Sequence, residues 1–208
     1  MQDILRYGVI LSFLVCLVSL TVEVLKTISF GRRTFHAEPA GKGSRGILYA
    51  FTRGMMPWEK ESARKHLAAY SAGILYHLGI FSALFYLLIL IIPFRISLYL
   101  SYFVCGAISI GLACGLGLLA RRIFLPYVRK ISCMDDYGAN VLVNLFLILV
   151  LADIFLREPR SILFLVTMVL FLYIPVGKIR HCFFFFYSRA LFGLFFGRRN
   201  ILPQRRVI

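Results

Sequence analysis

The sequence predicts an all-α integral membrane protein, a bundle of five transmembrane helices with its N-terminus outside and its C-terminus in the cytoplasm. Three observations predict it. Of the 208 residues 60% are hydrophobic, against about 45–50% in an ordinary soluble domain. The apolar residues gather in runs of about 20, the length that crosses a ~30 Å hydrocarbon core. The basic residues fall mostly on alternate connections between those runs, the bias that orients membrane proteins.

The first run covers about residues 8–27. No small-residue cleavage site follows it, so it reads as a retained helix rather than a removable leader. The loop over about 31–66, GRRTFHAEPAGKGSRGILYAFTRGMMPWEKESARKH, is too long for a plain connection. Its ILYAFTRGMMPW portion mixes apolar and basic residues, as an interfacial helix or a docking patch does. The second run, 72–93, joins the third, 96–120, through PFRIS, where Pro93 breaks the helix. The third run carries Gly106, Ser109, Gly111, Cys114, Gly115 and Gly117, a small-residue surface suited to close helix packing. Asp135 and Asp136 precede the fourth run, 137–156, and suit its first turn. REPRS, with Pro159, leads to the fifth run, 162–181, and a basic tail fills 182–208. No repeat divides the chain, which reads as one membrane domain.

Counting Lys and Arg fixes the direction. The loop after the first run, the loop after the third and the tail hold 20, while Arg6, Arg95, Arg157 and Arg160 are the only 4 on the other side. The positive-inside rule then places the loop 31–66 and the tail in the cytoplasm. Topology and anionic lipid account for most of the net charge of +15, so nucleic acid is not an expected partner. The five cysteines are scattered without a CxxC pair, and the chain offers no zinc or iron–sulfur ligand set.

Of the four histidines, His36 and His66 lie among loop charges and read as solvated side chains. His77 stands in AGILYHLGIFSALF, where an imidazole is costly in lipid and so marks a functional position. His181 closes the fifth run. The second and fifth runs are antiparallel, which brings the two rings toward the same leaflet at similar depth. Gly73 precedes His77 by four residues, and Gly177 precedes His181 by four. On a helix that spacing puts a notch on each histidine's own face, room for a flat macrocycle. Two neutral imidazoles hold a low-spin haem between helices, so His77 and His181 are the candidate iron ligands. Lys178 and Arg180 stand where haem propionates would need cations, or where snorkelling anchors sit at a helix end. The competing reading has His77 bonded to a neighbouring carbonyl or serine. Asn140 and Asn144 read first as hydrogen-bonding groups between helices, Asp153, near the outer end of its run, as an interfacial group, and Tyr76 as an interfacial ring; an asparagine or Tyr76 could also serve a quinone.

YHLG in the second run and LYIPVGKIRH closing the fifth resemble the gamma subunit of respiratory nitrate reductase and the cytochrome b membrane subunits of heterodisulfide reductase-like complexes. The resemblance runs from about residue 66 onward. It implies haem b held by histidines on the second and fifth spans, with His77 and His181 matching the cytoplasm-proximal pair. The outer pair of that family would fall near Leu87 and Leu163, which cannot bind iron, so one bis-histidine haem is implied. Pairing His66 with His77 instead leaves the fifth span one ligand short. The family passes electrons between membrane quinone and a cytoplasmic iron–sulfur subunit. The expectation is therefore a haem b electron-transfer subunit of a quinone-linked oxidoreductase, with menaquinone or ubiquinone as exchangeable substrate. A heterodisulfide reductase-like Fe–S partner would dock on the basic face. The chief alternative is a haemless membrane anchor or assembly subunit that tethers a cytoplasmic complex. A small transporter ranks lower, because midplane positions are nearly all apolar.

Overall fold

The computed structural model describes residues 2–30, 37–92, 97–156 and 160–202. The connections expected at Pro93 and Pro159, and His36, lie outside the described residues. In chain order the helices are α1 (Gln2–Ser29), α2 (Gly43–Phe51), α3 (Glu61–Lys65), α4 (Leu67–Ile91), α5 (Leu98–Phe124), α6 (Pro126–Lys130), α7 (Met134–Leu156), α8 (Arg160–Tyr173) and α9 (His181–Arg198). Short 3-10 turns occupy Arg53–Met55, Pro57–Glu59 and Lys178–Arg180. No strand occurs among the described residues.

Among the described residues four helices, α1, α4, α5 and α7, are long and apolar enough to cross a membrane, and α8 with the Lys178–Arg198 segment makes a fifth if that broken pair is one span. Only 22–33% of each long helix's most apolar stretch is buried inside the protein. The remainder presents leucine, isoleucine and phenylalanine outward, which is what lipid contact requires and water would penalise.

The fifth span is where structure and sequence reading part. The run 162–181 is not one helix: α8 ends at Tyr173, residues 174–177 turn, and α9 starts at His181. Pro175 supplies the cause. It has no N–H to give to the ladder, its ring crowds the preceding turn, and it disfavours helical geometry at Ile174.

Packing divides the chain into two compact units. One comprises 1–19 and 68–179, the other 20–67 and 180–208.

In the first unit the core is built around Phe146, Ile108, Leu147, Leu163 and Val150, all fully buried. Its helices α4 and α5 approach closely at Gly79 and Gly111, where glycine removes a side chain. A Cβ on Gly79 of α4 would lie 2.7 Å from the Cα of Gly111 on α5, so the two backbones touch. Phe13 of α1 packs on Phe171 of α8 at 5.2 Å between ring centres. Ser97 caps α5, its hydroxyl accepting from the Leu100 N–H at 3.3 Å. Asp136 in the first turn of α7 reaches back to accept from the Cys133 N–H at 2.9 Å, which meets one of the donors that a helix start leaves over.

In the second unit α2 lies across α9. A Cβ on Gly46 would fall 2.0 Å from the Gly193 carbonyl oxygen and 2.6 Å from the Gly197 Cα. Gly46 and Ala50 on α2 face Gly193-x-x-x-Gly197 on α9, and this small-residue seam is buried. The turn that follows α2 is tied down by charge. Glu59 accepts from Arg53 Nε at 2.5 Å and from the Tyr49 hydroxyl at 3.1 Å, and Arg189 of α9 donates to the Gly54 carbonyl at 2.9 Å.

Candidate functional site

His77 is exposed on the outward face of α4, the face that also carries Ile74, Leu78 and Phe81. Its Nδ1 lies 2.6 Å from the carbonyl oxygen of Gly73, one turn earlier. A carbonyl only accepts, so Nδ1 carries the proton and Nε2 is the basic atom of the neutral ring. That is the arrangement in which a backbone acceptor orients an imidazole for metal ligation through Nε2. It also satisfies the plainer reading of a membrane histidine bonded to a neighbouring carbonyl. A Cβ on Gly73 would meet nothing within 4 Å, so that side of α4 is open.

His181 is placed differently. It is the first residue of α9 and is exposed. Gly177 does not share a helical face with it, because the chain between them passes from a turn into a 3-10 segment. Nor is Gly177 a notch. A Cβ there would stand 2.4 Å from Tyr173 Cζ, so the tyrosine ring already fills the place. His77 belongs to the first unit and His181 to the second.

Lys178 is engaged elsewhere than a propionate site. Its ammonium meets the Asp136 carboxylate at 2.8 Å, and its backbone N–H donates to Asp135 Oδ2 at 2.8 Å. Arg122 completes the cluster at 3.0 Å from Asp136, and the Tyr173 hydroxyl donates to Asp135. The acidic pair therefore gathers the ends of α5, α7 and α8 and the turn after α8. Arg180 is exposed in the 3-10 turn and stands at the N-cap of α9.

Two polar features carry more structure than the sequence reading gave them. Asp153 is fully buried and takes three hydrogen bonds: from the Tyr86 hydroxyl of α4 at 2.8 Å and from Arg160 Nε and Nη2 of α8 at 3.2 Å each. Far from being only interfacial, it joins three helices. Asn144 donates to Asn140 Oδ1 on its own helix at 2.7 Å, while its own Oδ1 and the Tyr76 hydroxyl are buried without a hydrogen-bond partner among the described residues. Both crowd Gly115, whose added Cβ would meet Asn144 Oδ1 at 2.3 Å and the Tyr76 ring at 2.4 Å. Leu87 and Leu163, where the family resemblance would put outer ligands, are both buried.

Among the described residues no three His, Cys, Asp or Glu side chains cluster as a metal site would need. Compared with family models, curated proteins and solved structures, the chain gives no match.

Proposed function

We propose that this chain is a haem b-bearing membrane subunit of a redox complex, passing electrons between the quinone pool and a cytoplasmic iron–sulfur partner. The orientation is the one the basic residues favour, N-terminus outside and C-terminus cytoplasmic, in a prokaryotic inner membrane. The single observation that carries the reading is His77: an imidazole on a lipid-facing helix, its Nδ1 proton held by the Gly73 carbonyl, above an open glycine notch. His181 is the second ligand that the sequence offers. Haem b, when bound, supplies one-electron transfer at a potential set by its ligands and surroundings. The chain's own part is to orient the ring of His77 through the Gly73 carbonyl, and its apolar helices keep water from the site. Exposed Arg129 and Lys130 of α6 belong to the basic face that would receive an acidic partner subunit.

A second reading, a haemless anchor that tethers a cytoplasmic complex, has its own support. Tyr173 fills the place beside Gly177, and Lys178 is committed to Asp136. A reduced-minus-oxidised visible spectrum of the purified protein separates the two. The haem reading expects the split absorption bands of a low-spin b-type centre; a colourless, folded protein supports the anchor.

A further inference from the structure

The second unit carries a charge out of proportion to its size. Residues 20–67 and 180–208 hold 15 basic and 4 acidic residues, so +11 of the chain's +15 lies there. Two of the acids are engaged, Glu59 by Arg53 and Tyr49 and Glu61 by Lys65. Lys60 is pressed toward its neutral form by burial and then by Arg189. Lys42, Arg45, Arg64, Arg180 and Arg199 remain at the surface.

The same unit exposes large apolar side chains next to these cations. With Gly46 and Ala50 of α2 turned onto α9, the opposite face presents Arg45 and Leu48, three residues apart, with Leu48 66% exposed. Trp58 in the following turn is 64% exposed, and Met56 is exposed beside it. In water such a face would be unfavourable. At a headgroup layer it is favourable on both counts, since the cations meet phosphate and the apolar groups reach the acyl boundary. Connectivity keeps it there: residues 30–66 leave one membrane-length helix and enter another, so both ends of this segment lie at one face of the bilayer.

We infer that the α2 face of this unit is a seat for anionic phospholipid, with Lys42 and Arg45 holding headgroups and Leu48 and Trp58 dipping beneath them. Trp58 is the chain's one tryptophan, so its emission reports this seat alone. The full-length protein is placed in nanodiscs of phosphatidylcholine alone, or of phosphatidylcholine with phosphatidylglycerol, each with and without brominated acyl chains. In anionic discs the emission shifts to the blue and bromine quenches it. Salt at about 1 M, where the screening length falls to about 3 Å, reverses both. The double variant Lys42→Gln/Arg45→Gln removes two surface cations and lowers the seated-to-unseated ratio about 30-fold, at ~1 kcal/mol per charge. Equal emission in both lipids overturns the inference, whether Trp58 stays solvent-exposed because the face awaits a soluble acidic protein or because the charges serve topology alone. A blue shift that ignores lipid charge and salt overturns it too.

Discussion

Replacing Asp153 with alanine tests how the transmembrane part is held together. The carboxylate has no exposed surface and binds Tyr86 of α4 and Arg160 of α8 through three hydrogen bonds. Removing one partner of a buried ion pair costs about 3–5 kcal/mol, because the other charge is left without compensation. Arg160 is 29% exposed and can turn its guanidinium outward, which places the expected loss near the lower end, about 3 kcal/mol. Tyr86→Phe removes one charge-assisted hydrogen bond and should cost about 1.5 kcal/mol. The double variant Asp153→Leu/Arg160→Met should be more stable than Asp153→Ala, since a buried pair exchanged for apolar groups of similar volume is often neutral. Reversible unfolding in mixed detergent micelles, followed by circular dichroism, gives all three values. A loss below about 1 kcal/mol for Asp153→Ala would refute the reasoning, because that is the range of a solvated surface pair.

Three further outcomes follow from the packing. Gly46→Ala drives a methyl into the backbone of α9 and should destabilise the second unit by about 1–3 kcal/mol. Limited proteolysis of the segment around Trp58 reads that loss, whereas Gly73→Ala, which meets nothing, should leave stability unchanged in the micelle assay. Tyr76→Phe deletes a buried hydroxyl without a partner and should be neutral or stabilising by about 1 kcal/mol in the micelle assay, opposite in sign to Tyr86→Phe. Tyr49 is pushed above its ordinary pKa of 10.0 by burial and then by Glu59. A raised folded value means its contribution is full below pH 10 and is lost as pH rises through the folded pKa. Trp58 emission should therefore change on alkaline titration of the wild type and change less in Tyr49→Phe.

The long helices are legible because their signal is additive: twenty apolar residues in a row outweigh any local propensity. Their starts are less so. Helix α1 begins at Gln2, about six residues before the apolar run, because Asp3 and Arg6 are polar yet helical. The broken fifth span was written in the sequence as Ile174-Pro175-Val176-Gly177, two helix breakers inside a run whose hydrophobicity masked them. That one proline also undoes the symmetry argument for the histidines, since Gly177 and His181 share a face only on a continuous helix. At His77 the four-residue spacing does operate, because α4 is unbroken there. The role of Asp153 was out of reach for another reason. Its partners are 67 residues earlier and 7 later, and a pairing across helices leaves no local pattern. The seam between α2 and α9 was hidden likewise: Gly46-x-x-x-Ala50 and Gly193-x-x-x-Gly197 are each ordinary spacings until the fold sets them face to face.

Haem content per chain tests the central claim most directly. Pyridine haemochrome quantitation is made on purified wild type, His77→Ala and His181→Ala, with Gly73→Ala as a variant that keeps both imidazoles. The account predicts one haem b per wild-type chain and its loss from both histidine variants, each still folded by circular dichroism. Wild-type protein without haem, or full haem content in His77→Ala, would contradict it.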